Sequence, residues 1–223
     1  MLGWRQVEWP YSSANAAVTW HNRKKPEKGT MMAILILGLV VFLGVHAFTM
    51  ARGPRAALIQ RLGAGGYKGL YSLVSLAGFV LLIYGYGSAR AQGYIQIWSP
   101  PPFLAHVTAL LMVFAFIAVV AFNGPNGKIK STLKHPLLAA VKAWSLGHLL
   151  VNGDLASMLL FGSFLAWAVI ARISIKSRAD EVEPAPAPWG RADLVAVVLG
   201  IVLAGVFMIW LHPLLIGVPA IVR

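Results

Sequence analysis

The chain has 223 residues, 58% of them hydrophobic and 12% charged, with a formal net charge of +12. An ordinary soluble domain carries about twice that charged fraction. This excludes a disordered chain, a basic nucleic-acid-binding domain and a typical cytosolic enzyme, and makes the lipid bilayer the expected partner. There is no cysteine, so disulfides, thiolate metal sites and cysteine nucleophiles are excluded as well.

In chain order, residues 1–30 come first, with five basic residues (Arg5, Arg23, Lys24, Lys25, Lys28) and no apolar core of the signal-peptide kind. They read as a disordered tail or a misassigned start, because Met31 and Met32 directly precede the first apolar block. Spanning the hydrocarbon core takes about 20 apolar residues in a helix. Such runs occur at about 33–50, 69–88, 103–122, 155–171 and 194–211. A shorter one covers 136–151, where Pro136 suits a first helical turn. Asn152-Gly153-Asp154 is a tight turn, and Asp154 is placed to cap the next helix. The predicted fold is therefore all-α, a polytopic bundle of about six spans.

Charge supports six. The segments after spans one, three and five hold eleven Lys/Arg, while those after two, four and six hold two. Basic loops stay cytoplasmic, which places both termini on the far side. The segment Asp180–Trp189 (DEVEPAPAPW) reads as a flexible Pro/Ala-rich linker. Ser72, Ser75 and Gly78 offer a small-residue face for close helix packing. Trp98, Trp144, Trp167, Trp189 and Trp210 read as an aromatic belt near span ends.

Ionisable groups within spans are costly and mark function. His46 lies near the basic end of span one, and His148 deep in span four. At 100° per residue, His135, Lys142, Ser145, His148 and Asn152 fall within roughly 140° on one face of span four. Such a face belongs in the bundle or against a wet cavity. His106 and His212 read as interfacial, and Lys142 as a residue that reaches back to the interface. No phosphate loop, serine elbow, carboxylate pair or zinc signature is present. Bundle histidines without cysteines or carboxylates can ligate a haem iron, bind copper or zinc, or relay protons. Apolar surroundings fit a b-type haem, with Arg52 and Arg55 as propionate partners.

The stretches GVHAFTMARGPRAALIQRLG, YKGLYSLVSLAGFVLLIYGYGSAR, HPLLAAVKAWSLGHLLVNGDLASMLLFGSFLAWAVIARIS and WLHPLLIGVP resemble the NnrU family of integral membrane proteins over about residues 32–223. The family takes its name from a gene associated with nitrite and nitric oxide reduction in denitrifying bacteria, which implies a multi-pass protein of the bacterial inner membrane. It is also similar to zeta-carotene isomerase, a membrane b-haem enzyme of plants and cyanobacteria that isomerises a cis double bond without net redox change. That resemblance implies haem b held by His46 and His148, with His135 as a neighbouring family histidine. Where the plant enzyme has a cysteine near the second ligand, this chain has Ser145, so no thiolate can take over there.

From helix geometry, His46 and His148 should differ in depth by about 12 Å, whereas His46 and His135 should be nearly level. His135 is thus the alternative partner. The resulting expectation is a haem protein with isomerase-like or redox chemistry on an apolar substrate. The alternatives are a non-enzymatic accessory factor for denitrification, without cofactor, and a small transporter using the polar face of span four.

Overall fold

The structure, a computed structural model, describes residues 28–93, 95–178 and 182–220. The expected leader, up to Glu27, lies outside the described residues. The elements are α1 (Lys28–Phe48), α2 (Arg52–Ala91), α3 (Leu104–Asn123), α4 (Lys128–Leu133), α5 (Pro136–Val151), α6 (Leu155–Lys176), α7 (Arg191–Val206), a π-helical turn (Phe207–Leu211) and α8 (His212–Ile216). Each expected span is helical, and the fold is an all-α polytopic bundle. Among the described residues, five helices are long and apolar enough to cross a membrane: α1, α2, α3, α6 and the run Arg191–Ile216.

The sixth span, α5, has 16 residues and is about 24 Å long, against a hydrocarbon core of about 30 Å. Irregular backbone beyond its end must still be paired. Gly153 O accepts from Ile97 N at 2.8 Å and Trp98 N at 3.2 Å, and Leu155 N donates to Ile95 O at 2.9 Å. An extended segment thus crosses the turn between α5 and α6 and takes up its hydrogen bonds. Asp154 caps α6 as its sequence position predicts, accepting from Ser157 N at 3.0 Å and Ser157 Oγ at 2.7 Å. Arg90, at the end of α2, approaches the same carboxylate at 3.9 Å.

Three expectations are corrected. The basic segment after α1 is helical from Arg52 and runs into α2, with a break at Gly63 (φ 71°, ψ 165°). That backbone conformation favours a residue without Cβ. The Pro/Ala-rich linker is anchored rather than loose: Glu183 pairs with Lys134 and lies 4.0 Å from Arg172, and Ala185 O accepts from Asn126 Nδ2 at 2.9 Å. Trp144 and Trp167 are not belt residues, because both turn inward onto aromatic neighbours. Trp189 and Trp210 do stay exposed.

The helices pack in an open row, α2–α1–α6–α5–α3–α7, with α2 also touching α6 near the row's end. Packing between apolar helices in lipid relies on close contact and shape, since lipid is as apolar as leucine. The α1–α2 contact shows this. A Cβ at Gly85 would lie 2.5 Å from Leu35 N, one at Gly38 2.6 Å from Leu82 N, and one at Gly78 2.7 Å from Phe42 N. The expected small face was right at Gly78, but Ser72 is exposed and glycines carry the seam.

The basic end is tied together by Asp193, which is 2% exposed. Its carboxylate accepts from Lys128 N at 3.0 Å, Ile129 N at 2.7 Å and Gly190 N at 3.0 Å. One side chain therefore takes up two open donors at the start of α4 and one at the start of α7.

Candidate functional site

His46 and His148 are prepared in the same way by their own helices. His46 Nδ1 lies 2.6 Å from Phe42 O, and His148 Nδ1 lies 2.9 Å from Trp144 O. A carbonyl can only accept, so each Nδ1 carries a proton, and in the neutral ring Nε2 is then the nitrogen left with a lone pair. This is the arrangement in which a second-shell acceptor fixes an imidazole as a metal ligand. Phe42 and Trp144 each stand one turn before their histidine, so the helical repeat itself supplies the acceptor.

Aromatic rings enclose both. His46 meets Phe42 at 4.3 Å, Tyr71 at 5.4 Å and Trp167 edge-on at 5.9 Å. His148 lies on Phe161 at 4.5 Å and beside Trp144 at 5.4 Å. The two histidines are linked through intervening rings: Trp144 touches Phe164 at 5.4 Å, and Phe164 touches Phe42 at 5.8 Å. Helix α6 is the shared wall, with Phe161 facing α5 and Trp167 facing α1.

The depths follow from the same contacts. Trp167 and Phe161 are six residues apart on α6, about 9 Å, so His46 lies nearer the basic end than His148. His135 neighbours Lys134, which pairs with the Glu183 that also reaches Arg172. His135 also stands thirteen residues before His148 at the start of α5, about 20 Å toward the basic end, so it lies beyond His46 rather than level with it. In donor chemistry the pair His46 and His148 fits a haem iron, being two imidazoles with Nδ1 bound to a carbonyl and Nε2 turned to apolar surroundings. In position, Trp144 and Phe164 stand between them.

The other expected site residues divide. Ser145 is fully buried and its hydroxyl has no partner. Asn152 donates to His148 O at 2.9 Å and so closes the end of α5. Lys142 is half-buried. Arg55 lies over the Tyr67 ring at 5.6 Å, and Arg52 is exposed at the start of α2. Among the described residues, no group of three or more His, Cys, Asp or Glu side chains could hold a metal ion.

His212, expected at the interface, is an exposed-end histidine tied to the backbone. Its Nδ1 is 2.8 Å from Val218 O, the same kind of carbonyl contact that the other two histidines make. The π-helical turn Phe207–Leu211 stands just ahead of it, where Pro213 cannot donate to the preceding turn. Trp167, expected in the aromatic belt, instead sits edge-on to His46.

A groove of about 250 Å³ lies between α3 and α5, lined by Met112, Ala115, Phe116, Val119, Leu137, Ala140, Val141 and Trp144. Its lining is apolar, and alanines on both helices leave the space. Trp144 is shared, facing the groove on one side and the ring stack around His148 on the other.

Comparison with curated proteins and with solved structures returns no match. The family profile described as NnrU protein matches residues 34–220, which takes in all the membrane-crossing helices and both histidines, and the chain belongs to the NnrU family.

Proposed function

We propose that this membrane protein binds haem b through His46 and His148 and acts on an apolar substrate, in isomerase-like or redox chemistry. The observation that carries the reading is the matched state of the two imidazoles. Each gives its Nδ1 proton to the carbonyl one turn back and keeps Nε2 bare among aromatic rings. Bound haem would supply a Lewis-acid and one-electron centre.

The chain's own residues do the rest. Phe42 O and Trp144 O hold each ring in one tautomer. Phe161 excludes water beside His148, and Trp144 and Phe164, which fill the space between the two histidines, would have to turn aside for one iron to reach both. The groove beside Trp144 accommodates part of an apolar molecule entering from the bilayer. Ser145 can offer a hydrogen bond near His148 but cannot replace it as a thiolate would. The chain sits in the bacterial inner membrane, with the basic end cytoplasmic and both termini periplasmic, as the loop charges direct.

The test is the absorption spectrum of the purified protein with a pyridine haemochrome assay. A Soret band is expected, and His46→Ala or His148→Ala should each lower bound haem by at least about tenfold. A well-folded protein without a Soret band, co-purifying with a nitrogen-oxide reductase component, would replace this reading by that of a cofactor-free accessory factor in denitrification.

A further inference from the structure

We propose that the groove between α3 and α5 holds one acyl chain of an anionic phospholipid from the leaflet at the basic end, with the lipid phosphate at Lys130. The inference rests on the proposed function only for the groove as an apolar binding site, and it does not depend on haem. The groove is drawn out along the helices. Its lining runs from Met112 to Val119 on α3 and from Leu137 to Trp144 on α5, about 10 Å along each. A compact apolar cavity of about 150 Å³ takes one benzene ring. The groove's volume of about 250 Å³, spread over about 10 Å, therefore suits a single extended hydrocarbon chain and is too narrow for a macrocycle.

The groove is closed at one end and open at the other. Toward the α5–α6 turn the two helices meet. Thr108 Oγ1 donates to Gly147 O at 2.8 Å, and a Cβ at Gly147 would lie 2.8 Å from Met112 Cε. Toward the basic end the rim is open, with Val119 37%, Leu137 42% and Phe122, one turn beyond Val119, 43% exposed. A chain thus enters from the basic end and stops at Met112. From Met112 to Asn123, where α3 ends, is about 16 Å, and half of the hydrocarbon core is about 15 Å. The closed end therefore lies at the bilayer midplane, where the chains of one leaflet finish.

A fixed cation stands beyond the open end. Lys130 Nζ donates to Phe122 O at 2.9 Å and to Gly124 O at 2.8 Å. The ammonium is thereby held at the end of α3, and an ammonium has three donors, so a third can reach a phosphate oxygen. Lys128, two residues earlier on α4, is exposed. The described acids of this end are engaged elsewhere, Glu183 with Lys134 and Asp193 with backbone N–H groups at the starts of α4 and α7. The charge at the open end is therefore positive, and an anionic headgroup complements it. A lipid without net charge would fill the groove equally well but would gain little from Lys130.

The experiment is native mass spectrometry of the delipidated full-length protein in detergent, titrated with phosphatidylglycerol and with phosphatidylcholine of the same chains. Wild type should bind one phosphatidylglycerol at least about fivefold more tightly than phosphatidylcholine, the effect of one basic residue at a headgroup. Lys130→Gln, whose amide can still donate to the α3 carbonyls, should remove that preference and leave phosphatidylcholine binding unchanged. Val119→Phe and Val141→Phe each put a ring into the groove. Each should weaken both lipids by at least about tenfold, the equivalent of two methylenes no longer buried. The unfolding midpoint without lipid identifies the variants that fold as wild type does.

The proposal is overturned if wild type binds the two lipids equally, if Lys130→Gln keeps the preference, or if a folded ring variant binds lipid as wild type does. The Soret band reports ligation by the histidines separately. Its absence with the lipid pattern intact would remove the haem reading and leave this one, and its presence with no lipid preference would do the reverse.

Discussion

His148 lies nearly flat on Phe161, with ring centroids 4.5 Å apart and planes 27° from parallel. Phe161 is 5% exposed and also meets Trp144 at 5.0 Å and Tyr86 at 6.3 Å. It therefore joins α2, α5 and α6 at the depth of His148. Phe161→Ala should destabilise the protein by about 2–4 kcal/mol, mostly through the cavity left behind. Phe161→Leu should cost about half as much. Chemical unfolding in detergent measures both, and an alanine variant as stable as wild type would show that this ring is not part of the core.

The glycine seam predicts a contrast within one helix. At Gly85 an added methyl meets the Leu35 backbone at 2.5 Å, whereas at Gly87 nothing lies within 4 Å. Gly85→Ala should push α1 and α2 apart and cost about 1–3 kcal/mol. Gly87→Ala should be neutral or stabilising by up to about 1 kcal/mol, the helix-propensity gain. Equal effects at the two positions would contradict the close α1–α2 approach.

Asp154 combines a helix cap with a charge beside Arg90. Asparagine can keep the cap, because its side-chain oxygen still accepts from Ser157 N, while losing the charge. Alanine loses both. Asp154→Ala should therefore cost about 1–2 kcal/mol and Asp154→Asn clearly less, read from the unfolding midpoints. The reverse order would assign the role to charge rather than capping.

Glu183 gives a pH dependence. The hydrogen bond from Lys134 holds its carboxyl below the ordinary value of 4.5, and the charges of Lys134, Arg172 and His135 act in the same direction. A lowered native pKa means that the stabilisation is fully present above the unfolded value and fades as pH falls through the native one. Acidification below about pH 4.5 should lower the unfolding midpoint of wild type more than that of Glu183→Gln. Parallel acid profiles would show that the linker anchor does not contribute.

The sequence by itself determined the helices and their order of crossing. Apolar run length, the Asn152-Gly153-Asp154 break, the Asp154 cap and the alternation of basic loops are local signals, and the structure reproduces the helices, the break between α5 and α6 and the cap, with Asn152 and Asp154 extended rather than in a tight turn. His46 and His148 were also legible as candidates, because an imidazole within an apolar run stands out without any tertiary information.

Only the tertiary structure decided which faces meet. Protein and lipid are equally apolar partners for a membrane helix, so its packing face leaves little periodic trace. That is why Trp144 and Trp167 read as belt residues yet turn inward, and why the seam of Gly38, Gly78 and Gly85 was only partly foreseen. It is also why the depths of His46, His135 and His148 could be ranked only once α6 was seen as their common wall.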